Sequence, residues 1–417
     1  MPLSRRQLIA ATAALPLLGM SALLRAAEPD LANLSDITSG IAGTTPAERQ
    51  ARIARAQSLM RANGIGAVLI EPGASLTYFT GVRWGRSERL TAAIIPVEGD
   101  PCIVTPFFEE PSVRQSLAIP ADVRVWQEDQ NPLERVAGFL RDRKLAAQPV
   151  GIDETARFFA FDGLARALPS ARLVSANPVI RGCRMIKTAP EIALMQAAAD
   201  VTMAAYRWTH RRIEKGMTPP DIGALMNAAT LKLGGAPEFA LVLIGEAAAY
   251  PHGSSAPQRV SDGQIVLMDC GCTVQGYQSD ISRTVVFGAA SAEQRKVWND
   301  VARGQQVANG AATIGTPAGA VDDAVRRFYE GAGYGPGYTL PGLSHRTGHG
   351  IGMDGHEPVN LVHGEATPLA AGMCFSNEPG LYLPGKFGVR MEDCFHMTDT
   401  GPKWFSVPPV SLDAPIG

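Results

Sequence analysis

Four carboxylates and one imidazole in the C-terminal half of this chain have the types and neighbours needed to hold metal ions. They are Asp269 in MDCGC, Asp280 in QSDISRT, His349 in TGHGIG, Glu378 in SNEPG and Glu392 in VRMEDC. Such an oxygen-rich set suits hard or borderline divalent ions such as Mn²⁺, with Co²⁺ or Zn²⁺ as alternatives. Four carboxylates in one pocket repel one another strongly unless two dications neutralise them. Taken singly, each residue has a plainer reading. Asp269 and Glu378 could be turn residues, Asp280 a turn or cap, and Glu392 the ion-pair partner of Arg390 on one strand face. The histidines tilt the balance. Six of the seven lie after residue 250, at 252, 345, 349, 356, 363 and 396. His252 lies between Pro251 and Gly253, and His349 between two glycines, so backbone and substrate can approach closely.

The elements that must position these groups can be read from pattern. Gln264 to Asp269 is expected as a strand with Ile265, Leu267 and Asp269 on one face. A carboxylate ending such an apolar face is costly unless it is paired or bound to metal. Thr188-Ala189-Pro190-Glu191 is a capping box that opens a helix burying Ile192, Met195, Ala199, Met203 and Tyr206. Thr218-Pro219 caps the next helix, which ends at Gly234-Gly235. The pattern recurs about a hundred residues later: Ser291 caps one helix, and Gly315-Thr316-Pro317 another that ends near Gly331. Strand-rich stretches follow each pair, so Asp269 and Asp280 fall in a first half and His349, Glu378 and Glu392 in a second. Upstream, Thr45-Pro46-Ala47-Glu48 caps a helix ahead of strands at 67–70, 92–96 and 102–106, with a strand-helix pair from Val150. That alternation predicts a small α/β domain over residues 44–183, before a second domain over 187–404.

At 417 residues the chain exceeds one typical domain. With 46% hydrophobic and 19% charged residues it reads as an ordinary globular protein. Residues 1–27 read as a twin-arginine signal peptide. Ser4-Arg5-Arg6 precedes an apolar, uncharged stretch from Leu8 to Leu24, and small residues follow at Ala26-Ala27. An uncleaved membrane anchor is the alternative. The expectation is therefore an exported, periplasmic protein. Removing the segment with Arg5, Arg6 and Arg25 leaves the chain more acidic than its formal charge of −2. No basic block remains, which argues against nucleic acid as a partner. Six cysteines are too few for a disulfide scaffold, and Cys270 and Cys272 read as small strand hydrophobes.

The run Pro251-His252-Gly253, then MDCGC, SDISRTVVFG, SHRTGHGIGMDGHEP and NEPGLYLPGKFGVRMED resembles the pita-bread metallopeptidases. That family includes methionine aminopeptidase, aminopeptidase P, prolidase and creatinase. Eleven residues separate the two Asp, and twenty-nine separate His349 from Glu378, as in the family. The resemblance implies an α+β architecture, a creatinase-like α/β N-terminal domain before a pita-bread catalytic domain with an internal pseudo-twofold duplication. It implies two divalent ions, with Asp269 chelating one, His349 and Glu378 the other, and Asp280 and Glu392 bridging. A bridging water made acidic by both ions would be the nucleophile, and Glu378 would shuttle its proton. His252 and His356 would donate to the substrate carbonyl, His345 would shape a proline pocket, and Tyr382 and Arg390 would support ligands or grip substrate. The implied activity is exopeptidase cleavage of Xaa-Pro bonds in proline-containing peptides, of prolidase or aminopeptidase P type, by a homodimer. A metal-dependent hydrolase or lyase of a small zwitterion on the same fold is the competing reading, and a non-catalytic binding protein a third.

Overall fold

A computed structural model describes residues 29–417; the expected signal segment, residues 1–27, lies outside the described residues. Among the described residues no helix is long and apolar enough to cross a membrane. The first domain opens on the helix Pro46–Asn63, capped by Thr45 and Glu48 as the sequence predicts. Its six-stranded sheet runs in the order 122–126, 102–106, 92–96, 67–70, 150–152 and 173–175. The strand Ala67–Ile70 is central, buried on both faces, antiparallel to Ala92–Pro96 and parallel to Val150–Ile152. Helices cover both faces, which explains why its strands read as continuous apolar runs.

The second domain is built twice over. In its first half the helices Ala189–His210 and Pro219–Lys232 pack on a sheet of Ala236–Ile244, Gln264–Val274 and Ile281–Phe287. In its second half Ala292–Ala311 and Ala318–Gly331 pack on the strands Glu357–Leu361, Gly348–Gly350, Cys374–Asn377, Asp393–Thr398 and Gly401–Trp404. This α+β architecture with its internal repeat is the one expected. The chain beyond 404 folds back, burying Phe405, Leu412 and Ile416 in the same two cores.

Three local expectations need correction. The strand from Gln264 does not end at Asp269 but runs on to Val274, so the carboxylate interrupts a strand rather than closing one. Thr316 does not cap the fourth helix; Pro317 stands at the cap without a side-chain bond. The first donors of that helix are met instead by the backbone, Ala318 N–H to Thr367 O at 2.9 Å and Gly319 N–H to Glu365 O at 2.9 Å. Ile192 is only partly buried, whereas Leu194, Ala198, Val201 and Ala205 are buried. The helix is clasped by a sheet on one side and its partner helix on the other, so its buried arc is wider than one stripe.

Candidate metal centre

The two sheets meet through one backbone bridge. Ser282 N–H donates to Glu392 O at 3.3 Å, and Glu392 N–H donates to Ser282 O at 3.1 Å. Register carries the row further, because Ser282 pairs with Asp269, which pairs in turn with Leu241. Asp269 and Glu392, 123 positions apart in sequence, are thereby set two strands apart. Asp280 lies in the short connection before the strand Ile281–Phe287, and Glu378 just past Cys374–Asn377. The Tyr206 hydroxyl lies 2.9 Å from Met268 O and 2.7 Å from Ile281 O, bracketing the residues next to Asp269 and Asp280. A buried hydrogen bond of this kind contributes about 1 kcal/mol net and fixes both strands against one helix.

His349 occupies the middle of Gly348–Gly350 and is 1% exposed. A Cβ on Gly348 would stand 2.1 Å from Ser376 O, and one on Gly350 2.5 Å from Glu357 O, so both flanking glycines are demanded by the approach of neighbouring strands. The Nδ1 of His349 lies 3.0 Å from Gly350 O. A proton held there leaves Nε2 as a lone pair, 3.3 Å from Glu378 Oε1 and 3.6 Å from Asp280 Oδ2. Burial, with the neighbouring His356, holds this imidazole well below its usual pKa.

The five expected residues come together. Asp269, Asp280 and Glu392 place ligand atoms within 4.8 Å of one another, as do His349, Glu378 and Glu392, and as do Asp280, His349 and His356. Burial, reinforced by the charges of Asp269 and Glu378, drives Asp280 well above the carboxylate range. Glu392 is driven the same way by burial and by Asp280 and Glu378. Burial lifts Glu378 to about 7 even though Arg390 opposes it. Asp269 Oδ1 and Glu392 Oε1 are buried without a hydrogen-bond partner. Orphaned acceptors among mutually repelling acids are expensive for a fold to keep, and a cation removes both penalties. The donor set therefore fits divalent metal. Metal affinity should fall as the pH drops through about 7, because protons on Glu378, Asp280 and Glu392 must leave before a cation can bind. Mn²⁺ titrations at about pH 8 and about pH 6 measure this, and equal affinities would contradict a shared acidic site.

Outside the ligand atoms, the structure removes the plainer alternative for Glu392, an ion pair with Arg390. Arg390 reaches Asp269 Oδ2 at 2.6 Å rather than pairing with Glu392. Its Nε donates to Ser282 Oγ at 3.0 Å, and that hydroxyl donates to Glu392 Oε2 at 2.8 Å. Arg390 also donates to Tyr382 Oη at 3.2 Å, which lies 2.7 Å from His345 Nε2. With Nδ1 of His345 at 2.7 Å from Arg346 O, both its ring nitrogens are engaged, and burial and Arg390 lower its pKa to about 3. It is a neutral wall of the cleft. His252 and His356 are exposed to that cleft, and the His356 ring meets His349 edge-on at 4.1 Å. His363 and His396 lie elsewhere, against Asp323 and Phe405, so four of the six late histidines belong to the site. Sequence reasoning missed Ser282, Arg346 and the cleft-lining residues Trp84 and Arg86 of the first domain. Arg346, beside His345 in SHRTGHG, was within reach of the motif; Trp84 and Arg86 carried no local signal.

The duplicated sheet-and-helix domain thus gathers its acids on the seam between its two halves. Residues 193–399 match metallopeptidase family M24, and residues 52–186 match the creatinase/prolidase N-terminal domain. The chain is 32% identical over 359 residues to a probable dipeptidase, PepE, of Mycobacterium tuberculosis, covering 84% of this chain and 92% of that one. It is 32% identical over 337 residues to an Xaa-Pro dipeptidase of Lactobacillus helveticus, covering 80% and 90%. The crystal structure of dipeptidase PepE from Mycobacterium ulcerans superposes with a TM-score of 0.82 at 31% identity, over 89% of this chain and 98% of that one. The chain belongs to metallopeptidase family M24.

Proposed function

We propose that this protein is an exported Xaa-Pro exopeptidase of dipeptidase type that works with two divalent ions, Mn²⁺ in preference. The observation that carries the reading is the row of mutually repelling, partly orphaned acids at the seam, completed by the free Nε2 of His349. The names of the relatives support the dipeptidase type. Asp269, Asp280, His349, Glu378 and Glu392 would hold the ions, with Asp280 and Glu392 between them. When bound, the ions would polarise the scissile carbonyl and acidify a water enough to attack near neutral pH. Glu378, open to the cleft on one side, would accept a proton from the attacking water on its carboxylate and pass it to the departing nitrogen. For an Xaa-Pro bond that nitrogen is a tertiary amide and must be protonated to leave. His252 and His356 donate to the carbonyl oxygen as charge develops on it, while His345, held by Tyr382, shapes the wall that receives proline.

The cleft encloses about 1290 Å³, more than the roughly 300–1,000 Å³ of a typical small-ligand pocket, so it has room for a tripeptide. A metal-loaded preparation should therefore be tested on Gly-Pro, Ala-Pro and an Xaa-Pro-Yaa series, measuring released amino acid. Fast release from the dipeptides and slow release from the longer peptides is expected. Cleavage of none of them would sink the peptidase reading in favour of small-zwitterion chemistry.

Export rests on Ser4-Arg5-Arg6 and the apolar stretch after it. All six cysteines are buried and free in the described fold, which suits a route that carries folded proteins. Replacing Arg5 and Arg6 by Lys should leave uncleaved, active precursor in the cytoplasm on cell fractionation. Periplasmic delivery of that variant would rule the twin-arginine route out.

A further inference from the structure

Glu357 follows His356 directly, yet its carboxylate turns away from the cleft and is buried to 5% exposure. It accepts the backbone N–H groups of Met353 at 3.0 Å and Asp354 at 3.2 Å, both within the turn that carries the chain from His349 to His356. Two cations hold the same carboxylate in place. Lys187 Nζ donates to it at 2.9 Å, and Arg184 donates beside it. Arg184 ends the helix Asn177–Arg184 of the first domain and also grips Asp354 at 2.8 Å and Ser75 Oγ at 2.9 Å. Lys187 lies in the segment that joins the two domains. Burial alone would push Glu357 upward, but Lys187 and Arg184 draw it down to about 2, so it stays charged. The turn leaves no slack around it, because a Cβ on Gly352 would stand 2.7 Å from Glu357 Oε1. Gly350 pairs with Glu357 in the ladder, so one carboxylate braces the turn between the strand that bears His349 and the strand that begins just after His356.

We propose that Glu357 is a positioning residue acting through His356: clamped by Arg184 and Lys187, it holds the turn that presents the His356 imidazole to the cleft. The first domain thus contributes to the catalytic geometry through the joining segment as well as by lining the cleft. A merely structural ion pair would hold the domains together without singling out one histidine. The proposal rests on the reading of His356 as a donor to the reacting carbonyl.

A double-mutant cycle tests it, with metal content checked in each protein. Glu357→Ala should lower kcat on Ala-Pro roughly 10–10²-fold with a smaller change in KM, the scale expected when a reacting group is misplaced by about 1 Å. In a His356→Ala background the same substitution should cost nothing further. Equal fold-losses in both backgrounds would overturn the proposal. Gly352→Ala, which keeps every charge and crowds the carboxylate by one methyl, should show the same dependence on His356 and serves if Glu357→Ala does not fold. A crystal structure of either variant provides a readout independent of turnover. The His356 ring should leave its 4.1 Å edge-on contact with His349, and a ring that stays in place would refute the clamp. Absence of Xaa-Pro hydrolysis in the unmodified enzyme would instead count against the proposed function, and the ring position would still decide the positioning role.

Discussion

Asp280→Ala and Glu392→Ala should each leave well under one ion per chain and no measurable Xaa-Pro hydrolysis. Each of these carboxylates belongs to two of the ligand groupings. Asp280 stands with Asp269 and Glu392 on one side and with His349 and His356 on the other, and Glu392 with Asp269 and Asp280 as well as with His349 and Glu378. A carboxylate has two oxygens and can face two cations, whereas the one lone pair of His349 can face only one. Removing an acid proposed to serve both ions should therefore disable both positions, and elemental analysis reads the loss directly. The metal-free variants should melt no lower than the metal-free parent, since each loses a buried acid whose ionised form burial and neighbouring charges disfavour. That comparison separates loss of metal from loss of fold. Retention of two ions per chain by either variant would place the bridges elsewhere.

His356→Ala should lower turnover roughly 10²–10³-fold, the loss expected when one donor to a developing oxyanion is removed. Metal content should be unchanged. The imidazole is exposed to the cleft, and its pKa is lowered by partial burial and by Arg346, so it is neutral near pH 7 and donates through a single N–H. Its ligand atom also lies within 4.8 Å of those of Asp280 and His349, which makes the metal measurement decisive. Loss of an ion in this variant would make His356 a ligand and displace His349 from the role assigned to it.

The ligand types were legible in the sequence because each lies in a short motif whose small or turn-forming neighbours announce a special backbone. Gly348 and Gly350 announce close approach of backbone beside His349, although the groups that approach, Ser376 O and Glu357 O, come from neighbouring strands. The capping boxes at Thr45, Thr188, Thr218 and Ser291 are equally local, and all four form. The cap expected at Thr316 failed because carbonyls some fifty residues away, in Glu365 and Thr367, supply the acceptors. Adjacent acids were the harder case. Glu392 and Asp393 are alike in type, but alternation sends one to the seam and the other inward, where it pairs with Arg283 at 2.7 Å. Glu357 and His356 divide in the same way between a buried clamp and the cleft. Which acid Arg390 neutralises was likewise settled by tertiary structure, since the arginine spans 121 positions to Asp269 instead of two to Glu392. Residue types and local spacing determined which atoms could bind metal or move protons. Register between the two halves, and the joining of the two domains, decided which of those atoms share one low-dielectric cleft, because burial and charge pairing are sums over neighbours that the chain brings together only when it folds.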